Sequence, residues 1–377
     1  MINVKRYIKN FLLPSIIVLP FLISKICLLF FRMVTHRNSE HSRGVQSTLC
    51  IEAGIKGWEI IEFKEIYSSA CEYLSVERVY KLKIESTQDY VKQVHRAIND
   101  YRPTHYCYSP RTGSQQWLKG LWQSFRLALL FTSKQITPIV ILSDLPIRSW
   151  RAQAAVITAI SGVVVTLMSP RQVHFIFPHK RLIGPSLMPF SQATLAWLDH
   201  LPRTQPDNNP PRAIFTGSLY EPRTSLLSAI KVGLEARGFT LDIQGRQLGS
   251  PRVSDKEYWL RLANADIVVT TSDQSIESGK DWLWIPHLLY RYLEVVACGT
   301  LLVAPEVPGI GRFFTSGEHF VSFKKPEDAI DAIEYYLNHP VERGKIAKQG
   351  YARARALIES RIFWLTIDVT LGHGSLT

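Results

Sequence analysis

Short apolar runs alternate with amphipathic stretches twice along this chain, and a polar break separates the two series. The first series begins at Thr48-Leu-Cys-Ile-Glu52. Further strand-like runs lie at 78–83, 105–108, 138–142 and 162–167, with helical spacing between them at 60–74, 87–99, up to Leu130, and 150–160. Strands that alternate with helices predict a parallel sheet wrapped by helices. Residues 202–212, Pro-Arg-Thr-Gln-Pro-Asp-Asn-Asn-Pro-Pro-Arg, can neither continue a helix nor pair well in a strand, and read as a linker. The series then restarts, with strands at 213–215, 240–243 and 266–269 and helices at 224–236, 256–263, 326–337 and 341–360. The 377 residues suffice for two domains of ordinary size. The expected fold class is α/β, two Rossmann-like domains facing a cleft, preceded by an N-terminal apolar helix. The expected boundaries are an anchor or tether at 1–45, a first domain at 46–201, the linker at 202–212, a second domain at 213–360 and a tail at 361–377. In open sheets of this kind ligands sit beyond the carboxyl ends of the strands.

Within the second series, residues 291–299 read Arg-Tyr-Leu-Glu-Val-Val-Ala-Cys-Gly. Their spacing predicts a short helix with Leu293, Val296 and Ala297 toward a core and Arg291 and Glu294 one turn apart. Gly299 suits the left-handed position that ends such a helix. The apolar run 300–305 follows as a buried strand.

Residues 11–31 are almost wholly apolar, broken by Ser15, Ser24 and Lys25, with Pro14 and Pro20 inside. The length approaches the roughly 20 residues of a membrane span, while two prolines and a lysine suit a span less well. Three readings stay open: a membrane anchor or in-plane helix, a buried core helix, or a cleaved signal. The formal net charge is +12, from 44 Lys and Arg against 32 Asp and Glu, which favours an anionic partner such as a phosphorylated substrate or an acidic lipid surface. The five cysteines form no CxxC pair and stand in apolar contexts, as buried thiols do. No Cys/His spacing resembles a zinc site, and no Asp-x-Asp metal motif is present. Trp117 and Trp122 read as core residues on the helix after the third strand. Arg111-Thr-Gly113 reads as an anion site on the first domain.

The wording of the second half carries a resemblance. Phe215-Thr-Gly-Ser218, Ile243-Gln-Gly245, Ala265-Asp-Ile-Val268, residues 291–299 and the later Gly317-Glu-His-Phe-Val321 together resemble the donor domain of GT-B glycosyltransferases, of the family-4-like and spore-maturation glycosyltransferase-like group. The resemblance covers about 213–360; over the first half it rests on topology. It implies a nucleotide-sugar donor bound by the second domain as substrate, no permanently bound cofactor, no metal, and a glycan or lipid-linked acceptor bound by the first. Glu294 then matches the glutamate that holds the nucleotide ribose. Gly217 matches a close approach of backbone to diphosphate, Arg223 and Arg291 match basic residues on the diphosphate, and Gly309, with Gly311, a loop over base or sugar. Asp144 matches the aspartate of a His-Asp pair after the fourth strand, where this chain has Ser143-Asp144, and would serve as a general base. His287 stands just before the 291–299 helix as a second catalytic candidate. The family's earlier glutamate, eight residues before Glu294, is Pro286 here. The expectation is a membrane-associated transferase of polysaccharide or glycan biosynthesis, with its domains on the cytoplasmic side and no nucleic-acid partner. The alternatives are a non-catalytic glycan- or partner-binding module and, from another class, a nucleotide-sugar epimerase.

Overall fold

The computed structural model describes residues 22–33 except 24, 28 and 32, then 47–55, 61–143, 148–174, 177, 179–203, 212–247, 252–275, 284–372 and 376. These residues form two compact units. The first takes in the chain up to Pro189 and the C-terminal stretch from Phe363; the second contains Phe190–Ser275 and Trp284–Ile362.

The first unit is built on six parallel strands: β1 (Leu49–Ile55), β2 (Val79–Ile84), β3 (His105–Tyr108), β4 (Thr137–Leu142), β5 (Val163–Thr166) and β6 (Leu182–Ile183), in the spatial order β2-β1-β3-β4-β5-β6. Parallel strands need crossovers, and helices α1 (Ile61–Leu74), α2 (Tyr90–Tyr101), α3 (Trp117–Ser133), α4 (Arg148–Thr158) and α5 (Pro170–His174) supply them. The helices cover the sheet, so β3 and β5 are buried along their whole length. Helix α1 shows how its sequence does this: Phe63, Ile66, Ala70 and Leu74 recur at three- and four-residue steps and are all buried. No side-chain cap opens the second helix. Helix α2 starts at Tyr90 after Asp89, whose side chain makes no capping bond. The Thr87 carbonyl instead accepts from Gln123 Nε2 at 2.6 Å.

The second unit opens with α6 (Gln192–Asp199), capped by Ser191, whose Oγ accepts from the Thr194 amide at 3.1 Å. Its sheet has five parallel strands, β7 (Ala213–Leu219), β8 (Leu241–Gln247), β9 (Ile267–Val269), β12 (Leu301–Pro305) and β13 (Val321–Phe323), in the order β13-β12-β9-β7-β8. Helices α7 (Arg223–Glu235), α8 (Asp255–Ala263), α9 (Arg291–Ala297), α10 (Pro326–Asn338) and α11 (Pro340–Glu359) pack around it, and a small antiparallel pair, β10 (Asp273–Ser275) with β11 (Trp284–Pro286), follows β9. Leu227, Ile230 and Leu234 of α7 meet Phe215, Ile267, Val303 and Ile333 in one core.

Helix α9 is the helix read from residues 291–299. Every residue from Tyr292 to Ala297 is buried, and Gly299 follows at φ +67° with its amide donating to the Val296 carbonyl at 2.9 Å. A further helix, α12 (Ile362–Leu371), follows α11.

One expectation about the first unit fails. Trp122 is 62 % exposed rather than in the core, because α3 turns Leu127, Ala128 and Phe131 to the sheet side and leaves Leu118 and Trp122, one turn apart, on its outer face. All five cysteines are free; four are buried, and Cys71 is half-buried.

Candidate active site

In both units the two strands formed first and third lie side by side and the second lies outside them, so the chain reverses its direction of winding between them. The reversal falls between β7 and β9 in the second unit, and the crevice beyond the carboxyl ends of such a strand pair is where open α/β sheets hold ligands. The residues at that point are Thr216, Gly217 and Ser218 on β7 and Thr270, Thr271 and Ser272 after β9.

Two arginines meet the strand end on either side of Gly217. Arg291, the first residue of α9, donates from Nη1 to the Thr216 carbonyl. Arg223, the first residue of α7, donates from Nη1 to the Ser218 carbonyl at 2.9 Å and from Nε to Thr271 Oγ1 at 2.8 Å. Its guanidinium lies 4.3 Å from the Tyr220 ring centroid. Gly217 between them has φ +148°, and a Cβ there would lie 3.3 Å from Phe215 Cζ and 3.6 Å from Arg291 Nη2. A side chain at 217 would therefore be strained by the backbone conformation and would crowd the Phe215 ring, while meeting Arg291 only at ordinary contact distance.

Glu294 stands one turn along α9 and is 4 % exposed. Its Oε2 accepts from the Tyr258 hydroxyl at 2.5 Å and from Arg291 Nε at 3.1 Å. Tyr258, on α8, also lies with its ring centroid 5.1 Å from the Arg291 guanidinium. Burial pushes the Tyr258 phenol well up; Arg291 pulls it down, and Glu294 raises it again. It therefore stays a hydroxyl and donates to the carboxylate. Burial pulls the Arg291 guanidinium down, but Tyr258 and Glu294 outweigh this and leave it raised and charged.

The geometry joins Gly217, Arg223, Arg291 and Glu294 in one cluster. His287 is buried beside it: its backbone amide donates to the Ser272 carbonyl at 3.2 Å, one residue from the Thr271 that Arg223 grips. Gly309 lies four residues past the end of β12, at φ +86°, where it opens a single turn over Ile310–Arg312. Asp144 lies outside the described residues. Pro286 ends β11 and pairs with Asp273. Sequence reasoning missed Tyr258, Tyr220 and Thr271. The polar triplet Thr270-Thr271-Ser272, following directly on a buried apolar strand, is the signal that could have found the last of these.

The first unit has its own reversal point, between β1 and β3. There Arg111, the expected anion site, makes an ion pair with Glu62 at 2.7 Å, so a carboxylate already meets its guanidinium. Beneath it Glu52 is buried and accepts from the hydroxyls of Tyr90, Tyr106 and Thr112, the Tyr106 bond being 2.7 Å long. Among the described residues no group of His, Cys, Asp and Glu side chains is placed to hold a metal ion.

Two parallel-sheet Rossmann-like units are the architecture of the GT-B fold. Residues 223–361, within the second unit, match the family model described as glycosyl transferase-like. The fold is similar to that of HepE from Anabaena, solved in complex with UDP and glucose, at 11 % identity and a TM-score of 0.54 over 85 % of this chain and 100 % of that one. It is similar to sucrose-phosphate synthase from Thermosynechococcus elongatus, at 12 % identity and a TM-score of 0.52 over 85 % and 97 %. It is also similar to a glycosyltransferase from Rickettsia africae, at 9 % identity and a TM-score of 0.52 over 87 % and 100 %. No curated protein matches the sequence.

Proposed function

We propose that the protein is a glycosyltransferase that binds a UDP-sugar in its second unit and moves the sugar to a glycan or lipid-linked acceptor at a membrane. The observation that carries this reading is the pair of arginines bonded to the two carbonyls flanking Gly217, with Glu294 held one turn away. A nucleoside diphosphate offers both things such a cluster recognises. Its phosphates meet two guanidiniums and the N-terminus of α7, whose N-cap residue, Pro222, has no side-chain acceptor. Its ribose hydroxyls meet the Glu294 carboxylate, which can accept from both of a vicinal pair. The same positive charge stabilises the diphosphate as it departs from the sugar. UDP as the nucleotide is supported by the structural neighbours solved with UDP and with UDP-glucose. Asp144 and His287 are the proposed groups for deprotonating the acceptor hydroxyl.

Calorimetry with UDP, UDP-glucose and their GDP and ADP counterparts tests the reading. UDP should bind, and Glu294→Gln, which keeps an acceptor for Tyr258 but removes the charge, should weaken it by about tenfold or more. Failure of every nucleotide and nucleotide-sugar to bind would sink the proposal. A second reading, a non-catalytic glycan-binding module, draws on Pro286, which places a ring with no donor or acceptor where the resemblance expects a glutamate. A transferase releases UDP from the donor when a membrane extract supplies acceptors. A binding module retains its glycan and its Glu294→Gln variant binds that glycan as before.

A further inference from the structure

Two helical surfaces of the first unit, adjoining each other, leave large apolar side chains in solvent. On α3, Leu118 is 71 % and Trp122 62 % exposed. Among the described helical residues between 22 and 33, Ile26, Leu29 and Met33 recur at three- and four-residue steps and are exposed, while Cys27 and Phe31 on the opposite side are buried. The two surfaces are continuous. Phe125 of α3 lies 5.5 Å from Phe30 and 6.0 Å from Phe31 between ring centroids, and Trp122 stacks on Phe125 at 6.2 Å. An apolar patch running over two elements is more than the scattered single residues that any surface carries.

We infer that this patch is a membrane-docking surface, and that α3, through Leu118 and Trp122, enters the interface of an anionic bilayer beside the N-terminal helix. Charge selects the occupant. Helix α3 carries Lys119 and Arg126 and no acidic residue. Residues 1–39 contain six Lys or Arg and no Asp or Glu. An apolar face edged by cations and a tryptophan matches the boundary between anionic headgroups and acyl chains. Among the described residues no helix is long and apolar enough to cross a membrane, and the Phe30 and Phe31 rings tie the N-terminal stretch against the globular unit. This inference extends the membrane setting of the proposed transferase, and its test needs no turnover.

The full chain is floated with vesicles of phosphatidylcholine alone and of phosphatidylcholine mixed with phosphatidylglycerol. Binding should favour the anionic vesicles and fall with added salt. The double variant Leu118→Ser/Trp122→Ser should lose about tenfold or more in partitioning, with an unchanged melting temperature because both side chains are exposed. Lipids brominated on the acyl chain should quench the fluorescence of the natural chain, and Trp122→Phe should lose that part of the quenching. The inference is overturned if the chain binds no vesicles, or if the double variant floats as the natural chain does, which would assign any binding to the N-terminal segment alone. It is also overturned if the double variant dissolves an oligomer and leaves flotation unaltered, for then the patch is a protein interface. UDP calorimetry on the double variant keeps the two proposals apart: lost flotation with UDP binding retained touches only the donor-independent surface.

Discussion

Glu52 shows how a single buried acid can set the pH behaviour of a domain. It sits on β1 at the first unit's strand reversal, and four donors converge on it: the hydroxyls of Tyr90, Tyr106 and Thr112 and the amide of Ser109. Burial raises its carboxyl from the ordinary 4.5 to about 7, and the four hydrogen bonds only partly oppose that rise. A carboxyl whose folded value lies above its unfolded value is favoured in the protonated form. Its stabilising effect is complete below about pH 4.5 and is lost as pH rises toward 7. The displacement corresponds to roughly 3 kcal/mol across that window. Stability should therefore be higher at pH 5 than at pH 8, by chemical denaturation followed in the first unit. Glu52→Gln should flatten the curve, since an amide carries no titrating proton and the surrounding hydroxyls can rotate to meet it. An undiminished slope in the variant would show that other groups carry the pH dependence. The same contacts pin Ser109 and Thr112 around Arg111, so the variant also reports how firmly that turn is held.

Among the elements, α9 was the most legible from sequence and the clusters around it the least. The run Arg-Tyr-Leu-Glu-Val-Val-Ala-Cys-Gly contains its own helix, its own stop and its own ion pair, all local in the chain, and all three are present. The alternation of strands and helices was legible for the same reason, because period-two and period-3.6 patterns are written in neighbouring residues. What could not be read was long-range. Tyr258 reaches Glu294 across 36 positions, and Arg223 reaches Thr271 across 48. Trp122 is apolar and at helical spacing, so only the packing of α3 reveals that it faces outward. The helix stop itself can be tested. At Gly299, φ is +67°, and an added Cβ would meet nothing nearer than Arg203 at 3.7 Å, an ordinary contact. Gly299→Ala should therefore cost about 1 kcal/mol from backbone strain alone, read as a lower midpoint in denaturant, with UDP affinity unchanged. A loss much larger than that would mean α9 depends on its stop for more than backbone conformation, as through the Arg203 Nη2 bond to the Cys298 carbonyl.

At the scale of the whole molecule the chain leaves the first unit, builds the second, and returns. From Phe363 onward it belongs to the first unit again. Helix α12 is held there by long-range contacts. Trp364, 1 % exposed, donates from Nε1 to Ser69 Oγ at 2.9 Å, Tyr73 donates to Asp368 Oδ2 at 3.0 Å, and Arg181 donates to the Leu371 carbonyl at 3.2 Å. The first unit therefore cannot be complete until residues 363–371 are made, while the cluster of Arg223, Arg291, Glu294 and Tyr258 lies wholly in the second unit. The two should be separable by mutation. Trp364→Ala removes a large buried ring and should destabilise the first unit by about 3–5 kcal/mol. Trp364→Phe, which keeps most of the volume and leaves the Ser69 hydroxyl without its donor, should cost about 1 kcal/mol. In both variants UDP should bind with unchanged affinity at temperatures below the first transition, because none of Arg223, Arg291, Glu294 and Tyr258 shares an element with α12. Calorimetric melting of the variants with and without UDP resolves this: the nucleotide should raise the transition of the second unit and leave the weakened transition where the mutation put it. If UDP binding falls in step with the first unit's stability, the two units fold as one cooperative body and the arginine–glutamate cluster depends on α12 after all.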